Sequence, residues 1–173
     1  PSRGLGDVYK RQARTLSKNG ISYVEAGSID QPICDRRGDL ICADWGYAYL
    51  ASTNGSGKSV SLGDYYGMKE SFVKNGTLAT TKTKWTTRKE EDNPAMAYVH
   101  NLGSVSNSGK EGFMMLGYDD IYSIEYMYEK RMGYWKHDGK VTIFDAFEKL
   151  RDNYQAIMER CRAFDELIYD DAE

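Results

Sequence analysis

Cysteine, histidine and long apolar runs are all scarce in this chain, and each scarcity removes a class of protein. Three cysteines in 173 residues, Cys34, Cys42 and Cys161, are too few for a disulfide-built scaffold and match no zinc spacing. The two histidines, His100 and His137, stand apart in sequence, so no metal cluster and no cofactor is expected. No apolar run approaches the roughly 20 residues needed to span a bilayer. Net charge is −3, with acids and bases interspersed, which leaves no electrostatic footprint for nucleic acid or an anionic membrane. There is no Gly-x-Ser-x-Gly nucleophile motif. Residues 52–59, STNGSGKS, end like a phosphate-binding loop, but Ser52 stands where the first glycine is required. The VSLGDYYG that follows is also a poor helix start.

Residues 1–12, PSRGLGDVYKRQ, carry no apolar period and read as a non-native, adapter-derived segment set apart from the fold. About 160 residues then remain, enough for one domain with a proper core. Fourteen tyrosines are the compositional excess, and tyrosine suits half-buried strands and wet binding surfaces alike. Asn19-Gly20 inside TLSKNGISYVEA is a strong hairpin signal. Residues 33–52 read as a second pair turning at Arg37-Gly38-Asp39. That turn would set Cys34 opposite Cys42, either as a disulfide in an oxidising compartment or as two buried thiols. Residues 67–77 suggest a short helix ended by Asn75-Gly76, and residues 79–87 a solvated strand around Trp85. AMAYVH at 95–100 and FMMLGY at 113–118 read as one more hairpin across a polar loop. The two Asn-Gly-Ser/Thr sequons, at Asn54 and Asn75, are more simply turns. Residues 121–127 fit a strand or a helical turn.

Short strands with turns every 8–12 residues predict a mainly β chain with some α, an antiparallel β-sandwich over residues 13–127. A linker and long amphipathic helix follow over 128–173. Thr142 caps that helix with Asp145 as its acidic partner. Ile143, Phe147, Leu150, Tyr154, Ile157, Cys161, Phe164 and Ile168 recur at spacings of four and three. Phe144, Met158 and Leu167 widen the stripe. The helix either packs on the sandwich or links to a further helical domain.

Two clusters are candidates for ligand contact. Tyr118, Asp119 and Asp120 place paired acids beside tyrosines at a strand end, suited to a hydroxyl, an ammonium or a cation, or to capping a turn. Asp44, Trp45 and Tyr47 set an acid beside an indole and a phenol, suited to stacking on a sugar, although a shared strand face is as readily core. His100, at the end of its strand, is a third candidate.

Residues 116–151, LGYDDIYSIEYMYEKRMGYWKHDGKVTIFDAFEKLR, resemble the junction in bacterial members of the glutaminase A family where a β-rich region meets a helical barrel. ISYVEAGSIDQPI, ADWGYAYLA, FVKNG and AYVH with Leu102-Gly103 are similar too, so the likeness runs through most of residues 15–173. It implies a piece of a periplasmic or extracellular hydrolase, a glutaminase acting on glutamine to give glutamate and ammonia. The catalytic groups would lie in a six-hairpin-glycosidase-like barrel following this chain, so no catalytic residue is assigned here. The other reading is a carbohydrate-facing accessory module, with Trp45 and Tyr47 stacking on sugar.

Overall fold

The computed structural model describes residues 11–35, 45–78, 82–87 and 93–172. The described residues are mainly antiparallel β with three α-helices. Its strands are β1 (Arg11–Lys18), β2 (Ile21–Ser28), β3 (Tyr47–Thr53), β4 (Lys58–Asp64), β5 (Lys84–Thr87), β6 (Pro94–His100), β7 (Met115–Asp119), β8 (Ile124–Tyr126) and β9 (Glu129–Arg131). The helices are α1 (Tyr65–Asn75), α2 (Ile143–Asp152) and α3 (Tyr154–Ala172).

A five-stranded sheet in the order β5-β1-β2-β3-β7 is the centre of the molecule, and every described pairing in it is antiparallel. Asn19 and Gly20 both take positive φ in the turn between β1 and β2, as the hairpin signal predicts. Because side chains alternate along a strand, the sheet has two distinct faces. Ala13, Val24 and Trp85 meet Leu62, with Val60 and Met96 beside it, from the two-stranded β4–β6 sheet. Ile21, Tyr23, Tyr49, Ala51 and Met115 on the opposite face pack against Ile143 and Phe147 of α2. Gly117 makes the second contact possible: a Cβ there would lie 2.7 Å from the Phe147 ring.

Helix α2 starts with the expected capping box. The Thr142 amide donates to Asp145 at 2.8 Å, and the Asp145 amide donates to Thr142 Oγ1 at 3.3 Å. The helix is tied to the β1–β2 turn by two bonds of 2.6 Å, from Arg151 Nη1 to the Asn19 carbonyl and from Asn19 Nδ2 to Glu148. Helix α1 ends as predicted, with Gly76 in the left-handed region.

Several expectations need correction. Arg11 and Gln12, set aside with the N-terminal segment, pair with Ser28 and Gly27 in β2 and with Thr87 and Thr86 in β5; an eight-residue partner strand extends the ladder past the end of the apolar pattern. Residues 95–100 and 113–118 do not form one hairpin, since β6 pairs with β4 and β7 with β3, in different sheets. The polar loop between them therefore crosses the sandwich. Trp85 is buried against the second sheet, and only Lys84 and Thr86 of β5 are exposed. Residues 32–35 form a turn closed by the Asp35 amide on the Pro32 carbonyl, not a strand arm. The turn at 37–39, Cys42 and Asp44 lie outside the described residues, and Cys34 is a free thiol. The long helix is two helices that meet at Asn153, whose side chain bonds the Lys149 carbonyl. The apolar stripe runs straight through that break, so periodicity alone gives no sign of it.

Candidate functional site

Helix α2 packs on one part of its sheet face, over Ile21, Tyr23, Tyr49, Ala51 and Met115. Beside that seat, and reaching under it at Tyr49, the strand register sets mostly polar residues in two rows. Lys84, Arg14, Glu25 and Tyr49 are successive cross-strand partners, and Gln12, Gly27, Tyr47 and Asp119 form the next row. Together with Phe144 and Ile121 most of these residues line an open cleft of about 410 Å³.

Glu25 is the keystone of its floor, 7 % exposed. Its carboxylate accepts from Arg14 Nε at 2.7 Å and Nη2 at 3.2 Å, and from the Tyr49 hydroxyl at 2.9 Å. The ion pair holds Arg14 above its ordinary pKa, its hydrogen bond to Glu25 acting first and the Glu25 charge second, with smaller contributions from Tyr49 and Tyr47. Burial, followed by Glu25, pushes the Tyr49 phenol far up, so it stays a neutral donor. At the other wall the buried Lys136 pairs with Asp119 and donates to the Ile121 carbonyl at 3.1 Å. Asp119 also accepts from the Ile121 amide at 2.8 Å. Those bonds hold Ile121 in the left-handed region, at φ 62°, which a β-branched residue rarely enters.

The sequence clusters are split by this geometry. Tyr118 and Asp119 are neighbours on β7 and therefore face opposite sides of the sheet. Asp119 belongs to the cleft, whereas Tyr118 lines a separate cavity of about 310 Å³ with Trp45. Asp120 lies beyond the strand end with Oδ1 buried and unpartnered among the described residues. Trp45 and Tyr47 do not share a face as a continuous strand would require. Gly46 breaks the alternation at φ +92°, where a Cβ would collide with the Asp119 carbonyl at 2.5 Å. Tyr47 goes to the cleft. Trp45 stays on the far side, its indole N–H donating to the Tyr122 carbonyl at 3.0 Å and its own carbonyl accepting from Tyr118. His100 sits on β6, its ring 6.2 Å from that of Tyr98, and lines neither cavity. Among the described residues no group of metal-binding side chains is assembled.

Glu25, Arg14, Tyr49, Lys84 and Lys136 carry no motif. The signal for Glu25 was its phase: it continues the alternation of Ile21 and Tyr23, so an acid lands on a buried face. No curated protein and no solved structure matches the chain. The chain belongs to the family described as "Domain of unknown function (DUF5127)", whose model matches residues 7–171.

Proposed function

We propose that this DUF5127 chain works as a non-catalytic accessory region of a secreted, periplasmic or extracellular, glutaminase-like hydrolase. Its partner would be a helical domain of the same protein seated on α3. The observation that supports this is the outer length of that helix. Phe164, Leu167, Ile168 and Tyr169 are 50–75 % exposed, yet they continue the stripe whose first part, Ile143 and Phe147, is buried on the sheet. An apolar helix stripe of that length is the normal signature of a packing surface.

In this reading the cleft forms one wall of a substrate site. It would supply contacts to substrate, while the helical domain supplies the groups that cleave the amide. Glu25 and Asp119 suit a structural role better than acid–base chemistry, since each is held by a cation and by a further donor. The likeness of residues 116–151 to the glutaminase A junction motivates glutamine as the substrate. The test is ammonia release from glutamine by the full reading frame that carries this chain, compared with the chain alone. Turnover by the longer protein only is the expected result. Turnover by the chain alone, or a longer protein without glutamine hydrolysis, would overturn the reading.

A carbohydrate-facing role keeps one specific observation in its favour: Trp45 and the half-exposed Tyr118 line one cavity. Retention on immobilised polysaccharide that Trp45→Ala abolishes would favour it.

A further inference from the structure

We propose that the open cleft beside the α2 seat is a binding site for a small organic carboxylate, held between Lys84 and Arg14 beside Tyr47. This goes beyond the accessory-domain reading and does not depend on it, because every residue involved belongs to this chain.

The first observation is the register. Arg14 and Lys84 are direct partners across β1 and β5, so two cations stand opposite one another on the same face. Like charges in that relation disfavour a strand pair; Glu25 compensates Arg14, and an anion seated between the two side chains would compensate Lys84. Glu25 does not already serve as that anion for both. It lies on the other side of Arg14, in β2, and its two oxygens take Arg14 and Tyr49.

The second observation is which groups remain uncommitted. Glu25 occupies the Nε and Nη2 side of the guanidinium, which leaves the Nη1 hydrogens and one hydrogen on Nη2. A carboxylate fits that end of the fork through two parallel bonds. Lys84 is exposed and makes no hydrogen bond or ion pair with a described residue. The Tyr47 hydroxyl has no hydrogen-bond partner among the described residues, and Tyr47 lines the same cleft as Arg14. Asp119 is neutralised by Lys136 and Glu25 by Arg14, so the cleft keeps one excess positive charge, on Lys84. Its uncommitted groups are mostly donors.

The third observation is the wall. Phe144 and Ile121 line the same cleft and give an apolar surface that an inorganic anion would not use. The volume of about 410 Å³ falls in the range of roughly 300–1,000 Å³ usual for small-molecule sites. An organic body bearing a carboxylate matches both features.

The test is titration of the intact chain with glutarate, followed by calorimetry and by amide shifts in NMR, with glutaramide as the neutral probe and inorganic phosphate as the mineral anion. Saturable binding of glutarate is expected, with shifts centred on residues 12–14, 25, 47 and 84. Glutaramide and phosphate should bind at least tenfold more weakly. Lys84→Glu should weaken glutarate at least tenfold, Lys84→Arg should preserve it, and Lys140→Glu, with the same change in net charge elsewhere, should leave it unchanged. Circular dichroism checks that each variant is folded. Equal binding of glutaramide or phosphate, equal losses in the Lys84→Glu and Lys140→Glu variants, or no binding of glutarate would overturn the proposal. None of these results bears on ammonia release, so the two readings fail separately.

Discussion

Two tyrosines, Tyr23 and Tyr49, are buried side by side under Phe144 and Phe147, with ring centroids 5.2–6.2 Å from them, but their hydroxyls have opposite fates. That of Tyr49 donates to Glu25 at 2.9 Å; that of Tyr23 is buried with no hydrogen-bond partner among the described residues. Removing each oxygen should therefore move stability in opposite directions. Tyr49→Phe deletes a hydrogen bond to a charged acceptor and should cost roughly 1.5–3 kcal/mol near pH 8. Tyr23→Phe removes an unsatisfied buried hydroxyl and should be neutral or gain about 1 kcal/mol. Alkaline pH adds a second signature. Burial, before any charge effect, pushes Tyr23 up to about 12 and moves Tyr49 further in the same direction. From about pH 10 upward the unfolded chain releases phenolic protons that the folded chain retains, so stability falls as pH rises, at a slope that approaches about 1.4 kcal/mol per pH unit for each such tyrosine. About half of the unfolded phenols are already ionised at pH 10, so the native protein should lose about 2 kcal/mol between pH 10 and 11 from the pair, and each single variant about half of that. The penalty of Tyr49→Phe consequently shrinks as the pH is raised. Urea unfolding followed by tryptophan fluorescence at pH 8, 10 and 11 measures all three proteins. Equal alkaline slopes in the native protein and both variants, or a Tyr49→Phe variant as stable as the native chain at pH 8, would refute the reasoning.

Other perturbations test the helix seat and the turns. Gly117→Ala places a methyl carbon 2.7 Å from Phe147 and should cost about 1–3 kcal/mol, a loss that Phe147→Leu in the same chain partly restores in thermal unfolding. Thr142→Ala removes half of the α2 capping box and should cost about 1 kcal/mol. Hydrogen bonds from Thr142 hold the Asp145 carboxyl below its ordinary range, so this stabilisation is present at neutral pH and fades as pH falls through the lowered value. The Thr142→Ala variant should accordingly show a shallower acid limb in urea midpoints between pH 7 and 3. Met127 and Tyr128 both adopt positive φ at the tip of the β8–β9 hairpin, where Asn-Gly is favoured. Replacing them with Asn-Gly should slow hydrogen exchange at Ile124 and Arg131 about tenfold, equivalent to roughly 1.4 kcal/mol of local stability.

What the sequence disclosed was local, and what it concealed was the pairing of distant segments. Asn19-Gly20, Asn75-Gly76 and Thr142 with Asp145 act within a few residues of themselves, and each does in the fold what its chemistry predicts. Residues 95–100 and 113–118 look like hairpin arms because each is apolar and a polar loop separates them. Their partners, β4 and β3, are fixed by which face each strand must bury, and no short window contains that information. Tyr118 and Asp119 read as one cluster because they are adjacent, although the pleat sends them to opposite faces. The cleft was missed for the same reason: Arg14, Glu25, Tyr49 and Lys84 lie on four strands and meet only through register. The break at Asn153 was hidden by a stripe that continues unbroken on both sides.

The order β5-β1-β2-β3-β7 also sets a timetable for synthesis. The three inner strands include the tight β1–β2 hairpin and can pair once β3 has left the ribosome, but both flanks of the trio then stay unpaired. One waits for β5 and the other for β7, each joined to its neighbour across a long stretch of chain. Closing such loops is the slow step in β-rich chains, and open strand edges recruit other chains in the meantime. Helix α2 emerges after all five strands of this sheet, packs on the glycine of β7, and ties itself to the β1–β2 turn. The vulnerable interval of this protein therefore runs from the emergence of β3 to that of α2, and a holdase acting in that interval should raise its yield more than any change to the finished surface.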